Sequence, residues 1–165
     1  MTMHKNFMDI YHLLNNDEQL NRLLYYSPLN LIENTPDPLD PSLPNVLDID
    51  EDWEIRTDRI LLTPKSDDLT ADKSICRILI YPGTRIPTSN YYVADQQLVV
   101  DILCHFDYEN GDLRSTRISD RLNELFCLNR ITGIGKMDYV RGTPIGAPVQ
   151  YVGYRHAYEF GSFKK

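Results

Sequence analysis

The sequence predicts an α+β fold: a mainly antiparallel sheet packed by a central helix, with an N-terminal helix and an extended acidic, proline-rich arm. Three observations predict it. Residues 75–81, 96–107 and 150–160 alternate their side chains with the period of a strand. Residues 113–127 instead carry one apolar stripe at helical spacing, made by Ile118, Leu122, Leu125 and Phe126. Residues 33–54 hold Pro36, Pro38, Pro41 and Pro44 and eight acidic side chains, with no Lys or Arg. Proline fixes φ and removes a donor, so this stretch reads as an extended arm or surface loop, mobile in an isolated subunit.

The elements follow in chain order. Residues 7–26 read as helix from Ile10, Leu13 and Leu14 and then Leu20, Leu23 and Leu24. Asn15, Asn16 and Asp17 break the stripe, and Asn16 with Gln19 resembles a capping box, so two short helices meeting at a bend are expected. Pro28 ends them. Residues 31–57 form the arm, for which Trp53 and Ile55 are the expected anchors. The core then runs over residues 58–165 within one domain overall. It opens with a short strand at Arg59–Thr63 and a polar loop at 64–73. A strand at Ile75–Tyr81 is halted by Pro82-Gly83, and a loop spans 82–95. Gln96–Asp107 is the clearest strand, with Leu98, Val100, Ile102, Cys104 and Phe106 on one face. Residues 109–112 read as a turn before the helix. Ile131–Arg141 is a strand bent at Gly133 and Gly135, residues 143–148 a Gly/Pro loop, and Gln150–Phe160 the last strand.

Charge and cysteine content narrow the function. The net charge is −7, but residues 1–75 hold 15 acidic and 6 basic side chains, while residues 76–165 hold 9 and 11. An acidic chain with no basic block is a poor sequence-independent DNA binder, because that affinity comes from neutralising phosphates. The asymmetry suits two ends that meet complementary neighbours. Cys76, Cys104 and Cys127 sit in apolar runs at wide spacing. They read as buried free thiols in a reducing compartment rather than a disulfide framework. No apolar run is long enough for a membrane span, and residues 1–7 lack the features of a secretory signal.

No catalytic, cofactor or metal site is expected. Asp48, Asp50 and Asp52 open like a calcium loop, but Trp53 and Arg59 stand where Gly and a bidentate Glu are needed. Gly133-Ile-Gly135-Lys136 lacks the spacing and hydroxyl of a phosphate loop. Cys104 and His105 are adjacent on a strand and point to opposite faces, leaving Cys104 in the core and His105 at the surface or an interface. Asp101 and Asp107 share a strand face but lie roughly 20 Å apart, too far for one nuclease metal pair. Two features suit subunit contacts instead. Arg114, Arg117 and Arg121 form a basic row on the helix, placed to meet acids of a neighbouring subunit or of the arm. Tyr91 and Tyr92 lie in a loop, where tyrosines favour interfaces.

The run Arg77-Ile-Leu-Ile-Tyr-Pro-Gly, Asn90-Tyr-Tyr-Val-Ala-Asp95 through His105, then Gly133-Ile-Gly-Lys-Met and Gly153-Tyr-Arg-His-Ala-Tyr158, resembles head–tail joining (neck) proteins of tailed bacteriophages, of the tail-terminator or tail-completion type. The resemblance implies a structural virion protein, made in the host bacterial cytoplasm, that forms a ring, hexameric or larger. The ring would terminate the tail and join it to the head or portal side, with DNA only passing through its lumen. Neighbouring portal, neck and tail-tube proteins would be its partners; no cofactor and no membrane are implied. The candidate subunit interface is Arg114, Arg117, Arg121, Trp53, Tyr91 and Tyr92. The alternatives are a head-completion adaptor or stopper of the same neck, a small metal-dependent nuclease, and a monomeric peptide-binding adaptor.

Overall fold

The computed structural model describes residues 2–165. Its elements are α1 (Met3–Asn15), α2 (Glu18–Tyr25), α3 (Val46–Ile49), α4 (Glu54–Arg59), β1 (Ile60–Leu61), β2 (Cys76–Pro87), β3 (Val93–His105), α5 (Phe106–Asp112), α6 (Arg114–Phe126), β4 (Ile134–Ile145) and β5 (Tyr151–Phe163). One five-stranded sheet has the order β1-β2-β3-β5-β4. Only the β1–β2 pairing is parallel; the other three are antiparallel. The architecture is the expected α+β one.

The core lies between one sheet face and the helices. Cys76, Ile78 and Ile80 of β2, Leu98, Val100, Ile102 and Cys104 of β3, and Tyr158 and Phe160 of β5 meet Ile10 and Leu14 of α1, Leu20 and Leu24 of α2, and Ile118, Leu122 and Phe126 of α6. Phe126 stands edge-on to Tyr158, with ring centroids 4.9 Å apart. Polar groups fix the layers in register: Asn6 donates to Thr132 Oγ1 (3.0 Å) and accepts from Ser162 (2.9 Å), and the Tyr158 hydroxyl donates to Asn123 (2.7 Å). On the opposite face a smaller apolar cluster, Leu69, Ile75, Leu79, Leu103 and Tyr151, is roofed by the loop 62–75. Buried Arg77 holds that loop down through Asp58 and Asp68 and the carbonyls of Asp58 and Lys65.

Several boundaries differ from the sequence reading, each for a physical reason. The bend between α1 and α2 is present, but Asp17, not Asn16, caps α2, accepting from Leu20 N at 2.8 Å. Pro82-Gly83 does not end β2; the strand continues to Pro87 across an irregularity between Pro82 and Arg85. β1 covers only Ile78 and Leu79 of β2, so the missing proline donor faces an unpaired edge. Pro144 is likewise tolerated in edge strand β4, which runs on to Ile145 where a loop was expected. Residues 106–112 are helix rather than strand end and turn, because His105 Nδ1 accepts the Asp107 N–H (3.1 Å) and starts α5. Phe106 therefore leaves the apolar face of the strand.

The arm shows the largest difference. Beyond its first few residues the arm lies folded on the body; it contains the short helix α3 and runs into α4. Buried Arg22 donates to the carbonyls of Asp40 (3.0 Å) and Leu43 (2.8 Å), and Tyr26 donates to the Pro44 carbonyl (2.6 Å). Val46 is fully buried. Asp50 is buried too: its carboxylate accepts from the backbone of Ile55 and Arg56 and from the Arg56 guanidinium, which caps α4 and pulls the carboxyl below its usual range despite burial. Composition alone suggested unpaired acids; tertiary partners from α2 and α4 supply the ordering that apolar burial within the stretch could not.

Candidate subunit interface

The basic row of α6 is consumed inside the chain. Arg114 is wholly buried at 0% exposure. It forks onto Asp112 (Nε–Oδ1 3.0 Å, Nη2–Oδ2 2.9 Å), and Nη1 donates to the carbonyls of Leu23 (2.6 Å) and Tyr26 (2.7 Å) at the C-terminal end of α2. A cation there also complements the helix dipole. Arg117 binds Asp37 of the arm through two hydrogen bonds of 3.0 Å, and Asp112 at 3.1 Å. Arg121 grips Asp17, the cap of α2, at 2.6 and 2.9 Å, and reaches Glu124 at 2.8 Å. The partners of the row are thus the arm and the N-terminal helices. Arg117 holds the Asp37 carboxyl below its usual range.

Trp53 is exposed, with φ 62°, and the Arg56 guanidinium covers one face of its ring at 3.8 Å. The anchoring of the arm rests on Val46, Arg22 and the Asp50–Arg56 pair rather than on Trp53 and Ile55. His105, expected at the surface, is buried: Nε2 lies 2.8 Å from the Ala71 carbonyl and the ring stands edge-on to Tyr151. Cys76 and Cys104 face each other across β2 and β3 as buried free thiols, and burial pushes the Cys104 thiol up; Cys127 is only half-buried.

The acidic residues weighed as metal ligands are dispersed. Asp101 is buried against Arg155 (2.7 and 3.0 Å) and accepts the Tyr81 hydroxyl (2.6 Å). Burial and that carboxylate push the Tyr81 hydroxyl up to about 12. Asp107 has moved onto α5, where Ser74 donates to it at 2.8 Å. Among the described residues no group of three or more His, Cys, Asp or Glu side chains could hold a metal ion, and no helix is long and apolar enough to cross a membrane.

Tyr91 and Tyr92 stand apart from the arginine row, at the tip of the β2–β3 hairpin, 90% and 75% exposed. The tip is shaped locally: Asn90 Oδ1 accepts from Tyr92 N (2.9 Å), and Thr88 Oγ1 donates to the Val93 carbonyl (2.9 Å). Lys164 N donates to the Tyr92 carbonyl (2.9 Å), which seats the C-terminal end of β5 beside the hairpin. The two tyrosines, Phe163, Lys164 and Lys165 border a hollow of about 440 Å³.

A second exposed apolar group escaped the sequence reading. Leu31 and Ile32 are 85% and 96% exposed at the tip of a turn whose ends, Asn30 and Thr35, exchange two backbone hydrogen bonds of 3.0 and 2.8 Å. Asn30 Oδ1 also accepts from Ile32 N and Glu33 N, and Asn34 has φ 57°. The signal available was Leu31-Ile32 placed between Asn30 and Asn34, a turn chemistry that presents its apolar pair outward.

The molecule is thus an α+β protein with one five-stranded sheet, helices on one face and two preformed apolar tips. Residues 17–160 match the YomW family, and the chain belongs to that family. It is 32% identical over 167 residues to the SPbeta prophage-derived uncharacterized protein YomW of Bacillus subtilis strain 168, covering 94% of each chain.

Proposed function

We propose that this is a bacteriophage protein and a structural component of the virion neck, forming a ring that terminates the tail and joins it to the head or portal side. The prophage origin of the Bacillus subtilis relative supports the phage assignment. The observation that carries the structural role is the hairpin tip, where two adjacent tyrosines and Phe163 stand on a backbone fixed by hydrogen bonds and are left uncovered by the chain's own packing. Rigid aromatic groups of this kind contribute large contact area at little entropic cost, and they are enriched where subunits meet. The interface reading of the sequence narrows accordingly to Tyr91 and Tyr92, since Arg114, Arg117 and Arg121 already have partners within the chain and the Arg56 guanidinium covers the ring of Trp53.

The test is genetic and structural together. Deleting the gene from the encoding phage should yield separate full heads and tails, and particles from the complemented strain should carry the protein as a ring at their junction in electron micrographs. Infectious, joined particles from the deletion strain would overturn the neck assignment.

A further inference from the structure

The two uncovered tips stand at opposite ends of the same sheet. The Leu31–Ile32 turn hangs at the end where β3 passes into α5: Pro28 packs on Gly111, and one hollow is lined by both Glu33 and Asp107. The Tyr91–Tyr92 tip caps the other end of β3, which at 13 residues spans roughly 40 Å. Their charges are opposite. No Lys or Arg occurs between Arg22 and Arg56, so the aliphatic turn sits in acidic surroundings with Glu33 beside it. The aromatic tip is bordered by Lys164 and Lys165 and by Arg85, which donates to the Phe163 carbonyl, against Asp95.

We propose that Leu31 and Ile32 of one copy of this chain seat in the Tyr91–Tyr92–Phe163 hollow of the next copy. Like-with-like contact of either tip would bring charges of one sign together, whereas head-to-tail contact pairs the acidic turn with the basic rim. A contact between different patches is heterologous, and repeated it gives a ring where the rotation closes and a filament where it does not. Both tips are fixed by their own hydrogen bonds before contact, so little ordering opposes docking. The inference rests on the reading of the protein as a self-assembling subunit and names the surfaces that this assembly uses.

The experiment uses the full-length chain as two single variants, Ile32→Cys and Tyr92→Cys, each alone and mixed, under mild oxidation. The parent chain sets the background from Cys127, with Cys76 and Cys104 buried. Docking raises the local thiol concentration, so the mixture should form disulfide-linked dimer about tenfold more than either variant alone. Sedimentation of the parent is measured alongside. Equal dimer from either single variant would mean like-with-like contact and overturn the proposal. A mixture at background would also overturn it: with an oligomeric parent, another surface of this chain assembles and the ring reading stands, whereas with a monomeric parent the tips serve other proteins. Cross-linked dimers from a protein absent from phage particles would sustain the head-to-tail contact and overturn the neck reading instead.

Discussion

Replacing Arg114 with alanine tests the internal role of the arginine row. The side chain is fully buried, forks onto Asp112, and satisfies two carbonyls at the end of α2. Truncation leaves two carbonyls without their charged donor, and the largely buried Asp112 carboxylate with Arg117 alone at 3.1 Å. Hydrogen bonds to charged groups contribute about 1.5–3 kcal/mol each, and removing one partner of a buried pair costs about 3–5 kcal/mol. Arg114→Ala should therefore lose about 3–5 kcal/mol, a large part of the roughly 5–15 kcal/mol typical of a domain. For a chain of this length that corresponds to a fall of roughly 6–20 °C in Tm. Arg117→Ala removes a pair that is part-exposed on both sides and should lose about 1 kcal/mol or less. The assay is urea unfolding followed by circular dichroism, with the denaturant slope compared among variants to confirm that the same surface is exposed. Arg114→Lys keeps the charge but not the fork, and should fall between parent and alanine. Equal losses for Arg114→Ala and Arg117→Ala would refute the assignment of Arg114 as the buried clasp between α2 and α6.

Three further outcomes follow from the same geometry. Arg121→Glu sets a carboxylate against Asp17, the cap of α2, so the folded chain should lose about 1–2 kcal/mol in the same unfolding assay rather than remain as stable as the parent. His156 is buried between Ser119 (2.7 Å) and Tyr139 (3.1 Å), and burial holds its pKa below the ordinary value. A lowered folded pKa contributes stability above the unfolded value of about 6.5 that is lost as pH falls, so Tm should drop between neutral pH and about pH 5, and His156→Gln should flatten that drop. Gly133 has φ 68°, and a Cβ there would overlap the Gly161 carbonyl oxygen, so Gly133→Ala should cost more than about 1 kcal/mol by thermal melt, while Gly146→Ala, in open space, should be near neutral.

Local pattern determined much of this protein. Period-two alternation defined β3 and β5, because a sheet face fixes every second side chain. The stripe Ile118, Leu122 and Phe126 defined both α6 and its buried side. The bend before α2 and the bending glycines at 133 and 135 were equally legible, since turn chemistry acts within a few residues. The exposed Tyr91 and Tyr92 lay where the loop reading placed them. Tertiary structure alone decided the rest. Prolines 82 and 144 continue strands because those positions lie on open edges, which depends on strand order and not on local sequence. Arg114, Arg117 and Arg121 form a basic row off the apolar stripe, and the spacing alone leaves open whether its acids come from a neighbouring subunit or from the arm. They are clasps because α2 and the arm, some 80 to 104 residues earlier, bring Leu23, Asp37 and Asp17 to them. The arm folds partly for the same reason: Arg22 reaches the carbonyls of Asp40 and Leu43 only once α2 and the arm meet, while the Asp50–Arg56 pair closes over six residues at the start of α4, a spacing that no helix or strand period marks.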